Sequence, residues 1–206
     1  VARRNPARRR AARGVDSTIR IIGGQWRGRR LPVTIAQDLR PTPDRVRETL
    51  FNWLAPRIEG ARCLDLFAGT GALGLEALSR GAAHVQFIDS DPKIIESLRG
   101  TLDTLGAGDR ATLDRGDALR TPIAMPPPEL VFIDPPFTRA LHGNALDAIF
   151  RLLAPNARIY IEYPAEQAAE IESLLAGRAR VVHAKRAGQV GYCLAQPALD
   201  GEDGPL

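Results

Sequence analysis

The chain has 206 residues, 44% of them hydrophobic and 25% charged, enough for one full α/β domain with a small extension and too few for two large domains. No stretch approaches the roughly 18 to 20 apolar residues of a membrane-spanning helix, and the arginine-rich start lacks a following apolar signal core, so a soluble, cytoplasmic protein is expected. Charge is segregated: residues 1–60 hold 14 arginines and five acids, a local +9, whereas residues 61–206 carry −5, which points to a polyanion such as nucleic acid meeting one end of the molecule.

Residues 1–16 carry Arg3, Arg4, Arg8, Arg9, Arg10 and Arg13 with almost no large apolar residue, and a disordered tail is expected because nothing there offsets the entropy of ordering. Residues 17–60 read as an extension. Ile19 to Ile22 and Arg29 to Val33 are short strands around GGQWRG, a hairpin carrying Arg20, Arg27, Arg29 and Arg30. Trp26 on that hairpin either stacks on a base or packs the hairpin onto the next helix. Beyond Arg40, Thr42 is placed to cap a helix with Pro43 at its first position, and Val46, Leu50, Phe51 and Leu54 recur on one face. Asp44, Arg45, Arg47 and Glu48 near its start read mostly as a solvated, mutually paired face.

From residue 61 to 196 strand and helix patterns alternate: strands at 62–67, 84–88, 111–115, 129–133 and 158–163, and helices at 72–80, 92–105, 140–153 and 165–176. Strands apolar on both faces and separated by helices indicate a doubly wound, mostly parallel sheet. The runs 179–185 and 189–195 are joined by a turn at Ala187-Gly188 too short for a parallel crossover, so they close the sheet as an antiparallel hairpin. Residues 197–206 read as a loose tail. Cys63 and Cys193 belong to no paired motif, and His84, His142 and His183 lack ligand spacing, so neither a disulfide nor a metal is expected.

The stretch Asp65 to Gly74, DLFAGTGALG, carries the chemistry. Gly69, Gly71 and Gly74 let the chain turn sharply from strand to helix and bring backbone amides close to a ligand at a helix N-terminus. The next strand ends at Asp89, where a carboxylate can accept ribose hydroxyls, as both NAD and S-adenosylmethionine offer. Asp91 is placed to cap the helix at Pro92. Asp117, after the third strand, either accepts an adenine amine or is a surface turn residue. At the end of the fourth strand stands Asp134-Pro135-Pro136-Phe137. Its prolines fix the backbone, the Asp134 side chain and the Pro135 carbonyl offer two acceptors to one amine, and Phe137 offers a ring face. Two acceptors holding the two hydrogens of a ring-conjugated amine aim its lone pair at a sulfonium methyl.

DLFAGTG, the acidic end of the second strand and DPPF, in this order, resemble class I (Rossmann-like) S-adenosylmethionine-dependent methyltransferases with a seven-stranded sheet. IRIIGGQWRGRRLPV, RPTPDRVRETLFNWL, CLDLFAGTGALGLEALSRGA, FIDPPF and AGQVGY are similar to the bacterial 16S ribosomal RNA guanine-N(2) methyltransferases that modify a loop guanine near the P site, over about residues 19–196. The resemblance implies a cofactor pocket of Asp65, Phe67, Gly69, Thr70, Gly71, Asp89, Ser90, Asp117 and Ala118, and a base held by Asp134 to Phe137. It implies an assembled small ribosomal subunit as substrate; the charge and the aromatic of the extension make Arg20, Trp26, Arg27, Arg29, Arg30 and Arg40 the expected RNA contacts, with no obligate protein partner evident and no metal expected. It also places Arg40 to Thr42 near the methionine end of the cofactor. The rivals are an adenine-N(6) or protein glutamine methyltransferase, an NAD-dependent oxidoreductase, and a non-catalytic RNA-binding assembly factor.

Overall fold

A computed structural model describes residues 17–33, 42–137 and 140–198; the arginine-rich segment 1–16, Arg40 and residues 199–206 lie outside them. Strands β3 (Arg62–Asp65), β4 (His84–Asp89), β5 (Ala111–Arg115), β6 (Leu130–Ile133) and β7 (Arg158–Pro164) pair in parallel. After β8 (Ala179–Ala187) the chain turns back as β9 (Val190–Pro197), which inserts antiparallel between β7 and β8 and gives the order β5-β4-β3-β6-β7-β9-β8. Every residue of β6 and β7 is buried, as strands covered on both faces require. Helices α2 (Ala72–Ser79) and α3 (Pro92–Leu105) lie on one face with Phe87, Phe132 and Tyr160; α4 (His142–Ile149) and α5 (Ala168–Leu175) lie on the other with Ile133 and Ile161. The doubly wound sheet and its antiparallel closure are as expected. The chain winds outward from β3 to β5 and then returns to β6, so the carboxyl ends of β3 and β6 flank the crevice where such sheets take ligands.

The N-terminal extension shares this core rather than forming one of its own. Strands β1 (Ser17–Arg20) and β2 (Arg30–Val33) pair antiparallel, and Ile19, Ile21 and Leu31 join the same cluster as Leu50, Leu75 and Phe132. Helix α1 (Asp44–Leu54) buries Val46, Leu50, Phe51 and Leu54 as its spacing predicts. Two details of its start differ from expectation. Pro43 occupies the cap position with no side-chain capping bond, because the Thr42 hydroxyl donates instead to Oδ2 of Asp134, 3.2 Å away. Arg47 is buried, not solvated: Nη2 donates to the Arg20 carbonyl at 2.8 Å and to Oδ1 of Asp44 at 2.6 Å.

The buried carboxylate that balances Arg47 is Glu76 on α2. Its Oε1 accepts the Gly23 amide at 2.8 Å and Nε of Arg80 at 2.7 Å; its Oε2 accepts the Ile22 amide at 2.8 Å and faces Nη1 of Arg47 at 3.8 Å. Ser79 continues the seam, accepting the Trp26 amide at 3.0 Å and donating to the Gly23 carbonyl at 2.6 Å. One helix face therefore holds the arginine-bearing hairpin through its backbone. The hairpin's apolar side chains go to the core, and its arginines Arg20, Arg27, Arg29 and Arg30 stay exposed.

Candidate active site

The turn between β3 and α2 uses its three glycines for three different reasons. Gly69 and Gly71 have φ of 50° and 75°, in the left-handed region that side chains disfavour, and a Cβ at Gly71 would lie 2.3 Å from Cδ2 of Leu98. Gly74 has ordinary backbone angles, but a Cβ there would meet the Phe87 ring at 2.2 Å, so it lets α2 lie close on β4. The turn is locked by backbone bonds from Ala68 to Ile88 O at 2.9 Å and from Gly71 to Ala68 O at 2.7 Å.

Two carboxylates bond to this turn. Asp65, fully enclosed at the end of β3, accepts the Gly74 amide on Oδ2 at 3.0 Å. Burial pushes its carboxyl up to about 8, against the Gly74 bond and with the help of nearby Asp89. Asp89 spans the turn, Oδ2 accepting the Gly69 amide at 2.9 Å and Oδ1 the Asp91 amide at 2.8 Å, which leaves each oxygen a further lone pair. Asp117 lies apart on an exposed turn after β5, accepting the Leu119 amide at 3.0 Å. Phe67 is half-buried, Thr70 buried, Ser90 exposed, and Ala118 packs against the second core cluster. Asp91 caps α3 as expected, accepting the Lys93 amide at 2.8 Å.

At the end of β6, Asp134 is half-buried, Pro135 buried and Pro136 exposed; the Phe137 ring is 41% exposed, one of the few large apolar side chains open to solvent among the described residues. Beside Asp134 is a carboxyl that the sequence reading missed. Ile133 of β6 pairs with Ile161 of β7, so the next residues along the two strands, Asp134 and Glu162, stand side by side. Glu162 is buried, and its Oε2 accepts the Tyr160 hydroxyl at 2.8 Å. Its backbone carbonyl accepts Nε2 of His142 at 2.8 Å. Burial holds both Asp134 and Glu162 above the usual carboxylate range; at Asp134 the Glu162 charge adds to the rise and the Thr42 hydroxyl opposes it. A single acidic residue at the carboxyl end of the apolar run IYIEYP was the available signal.

The hairpin arginines Arg20, Arg27, Arg29 and Arg30 are all exposed; Arg20, Arg27 and Arg80 line a cleft of about 350 Å³ with Asp44, Glu48 and Asn52. Trp26 corrects the expectation of a base-stacking ring. It is 6% exposed and packed in the core, with the Arg110 guanidinium 5.5 Å from its ring centroid, so the packing alternative holds. Among the described residues there is no cluster of His, Cys, Asp or Glu suited to a metal ion, and no helix long and apolar enough to cross a membrane.

The chain matches a family model described as conserved hypothetical protein 95 over residues 19–196. It is 46% identical over 189 residues to the Escherichia coli K12 protein named ribosomal RNA small subunit methyltransferase D, covering 89% of this chain and 92% of that one. The protein of the same name from Haemophilus influenzae is 45% identical over 150 residues, 70% of this chain and 78% of that one. Among solved structures, Escherichia coli yhhF superimposes with a TM-score of 0.76 at 46% identity, covering 88% of this chain and 98% of that one. TrmN from Thermus thermophilus, at 24% identity and a TM-score of 0.63 over 75% of this chain and 48% of that one, shares the fold. The glycine turn, the carboxylates around it and the DPPF strand end therefore stand in a chain that belongs to the conserved hypothetical protein 95 family, alongside the small-subunit ribosomal RNA methyltransferases D.

Proposed function

We propose that this protein transfers a methyl group from S-adenosylmethionine to the exocyclic 2-amino group of one guanine of 16S rRNA, position 966 in standard rRNA numbering, within the assembled small ribosomal subunit in the bacterial cytoplasm. The observation that carries the reading is the end of β6, where a carboxylate beside the β3 turn adjoins a solvent-open aromatic ring. That pairing suits a flat base with an amine at its edge.

The residues around the glycine turn fit the cofactor. Gly69 and Gly71 take the left-handed backbone angles of a tight strand-to-helix turn, which suits close approach of a ligand, and Asp89 keeps lone pairs free for ribose hydroxyls while its existing bonds hold it rigid. When bound, the cofactor supplies a methyl already activated by its sulfonium charge, so no covalent enzyme intermediate is required. Asp134 and the Pro135 carbonyl accept the two amine hydrogens, which localises the nitrogen lone pair and points it at the methyl. Phe137 stacks on the base, which must be unstacked to reach it, and the hairpin arginines bind phosphates.

The test is transfer of labelled methyl from S-adenosylmethionine to small subunits lacking their own guanine methylation, with mapping of the modified nucleoside. Label on a single guanine 2-amino group is expected, and Asp134→Ala should lower turnover by at least about a hundredfold while cofactor affinity stays within a few fold. Label on adenine or on protein would overturn the substrate, and near-parental turnover of Asp134→Ala would remove Asp134 from the chemistry.

A further inference from the structure

The proposed methylation gives Glu162, Tyr160 and Thr42 no part, yet the fold gathers them on Asp134. The parallel register sets Glu162 next to Asp134, and the two carboxyls lie together at the end of the sheet. The Thr42 hydroxyl, at the entrance to α1, donates to Oδ2 of Asp134 at 3.2 Å and also lies close enough to the Glu162 carboxyl to oppose its rise. Tyr160, 1% exposed, donates to Glu162 from below at 2.8 Å. The remaining titratable neighbours are Asp65 on β3, Tyr192 on β9, which pairs with Glu162, and His142 of α4, which donates to the Glu162 backbone. None of these neighbours is a lysine or arginine, and two like charges this close in a dehydrated site do not both ionise near neutrality.

We propose that Asp134, the Thr42 hydroxyl and Glu162 form one proton-sharing unit, in which Glu162 and Thr42 are positioning residues that act on the substrate amine only through Asp134. This rests on the amine methylation proposed above. Between turnovers the two carboxyls hold one proton. As the nitrogen lone pair forms the N–C bond and the C–S electron pair departs to sulfur, the nitrogen sheds one proton to Oδ1 of Asp134. The proton already shared moves through the Thr42 hydroxyl to Glu162, so both carboxyls end neutral and no buried charge is created. Solvent at half-exposed Asp134 then removes one proton and resets the pair.

Two measurements test this, and the first needs neither cofactor nor RNA. In the infrared spectrum of the parent protein at pH 7, the C=O band of protonated carboxyls should include the shared proton. Glu162→Gln should lower the pH at which this band disappears, because Asp134 then loses the neighbouring charge that adds to its rise and keeps only the effect of burial. A band that disappears at the parent's pH overturns the shared proton whatever the enzyme's substrate is. The second is turnover on small subunits: Thr42→Val and Glu162→Gln should each lower kcat by at least about tenfold with the KM for cofactor and for subunits within a few fold. Thr42→Ser, which keeps the hydroxyl, should recover most of the loss. A Thr42→Val enzyme with parental kcat, or a Thr42→Ser enzyme as slow as Thr42→Val, overturns the relay. Absence of turnover in the parent refutes the methylation reading instead and leaves the infrared result standing.

Discussion

Replacing Glu76 with glutamine asks whether a single buried carboxylate holds the hairpin to the sheet domain. Both oxygens of Glu76 are filled by donors, two backbone amides and Arg80, with Arg47 close by, and its side chain is fully buried. Glutamine offers one acceptor oxygen and one amide nitrogen. Turned so that the nitrogen replaces Oε1, it confronts both Gly23 and Arg80; turned the other way, it confronts Ile22 and Arg47. The less costly orientation still strands one buried amide, worth about 1–3 kcal/mol. It also leaves Arg47 with only Asp44, whose carboxylate is 59% exposed, as its acidic partner. Because breaking a buried ion pair from one side costs about 3–5 kcal/mol, Glu76→Gln should destabilise the fold by roughly that amount. Urea unfolding followed by circular dichroism measures the total, and hydrogen exchange at the Ile22 and Gly23 amides measures release of the hairpin alone. Adding Arg47→Met should cost less in the Glu76→Gln background than in the parent, since the charge it removes is then already unbalanced. A loss below about 1 kcal/mol with unaltered Ile22 and Gly23 exchange would refute the reasoning.

Three further outcomes follow from the site. Asp65 is protonated up to about pH 8 in the folded protein but only to about pH 4 when unfolded, so the folded state binds the extra proton between those limits; its contribution is therefore present at the acid end and is lost as pH rises. Asp65→Asn should remove a decline of up to about 1.4 kcal/mol per pH unit across that window, and urea midpoints of parent and variant that run parallel from pH 5 to 8 would contradict the assignment. Gly71→Ala places a side chain at φ 75° and against Leu98, and should lower stability by about 2–4 kcal/mol and abolish cofactor binding measured by calorimetry; an unchanged melting temperature would show that the turn relaxes. Phe137→Ala should weaken RNA substrate binding by about 1–3 kcal/mol, seen as a raised KM for subunits with cofactor affinity retained, and an unaltered KM would remove the ring from base contact.

The parts of this molecule that local chemistry decides were legible before the structure. Helix α3 begins and ends where its sequence says, because Asp91 caps it, Pro92 suits its first turn, and Gly106 closes it at φ 63°. The glycine turn and DPPF were legible for the same reason, as the backbone geometry is written in glycine and proline. The errors share a different cause. Thr42 was read as a helix cap because that is its local option, but its hydroxyl is taken by a residue 92 positions away. Arg47 was assigned to solvent because arginine ordinarily stays there; its burial depends on Glu76, which belongs to another helix. Glu162 was passed over because one acid in an apolar strand acquires meaning only when register sets it beside Asp134. Helix α4 ends at Ile149 where periodicity ran to 153, the chain tightening into a 3₁₀ turn over Phe150–Leu152.

The insertion of β9 between β7 and β8 bears on how the chain is made. Strand β7 is buried along its whole length, and its outer edge is covered only by β9, which lies at the carboxyl end of the described chain. During synthesis β8 emerges before β9 and belongs in the next position outward, so the ribosome releases a nascent chain in which this buried strand has an open edge. That edge is a template for pairing with another nascent chain, and it closes only when the segment from Val190 onward is free of the exit tunnel. The exposed polar and basic residues of β8, His183, Lys185 and Arg186 among them, then become the permanent border of the sheet, and their charge discourages further strands from adding.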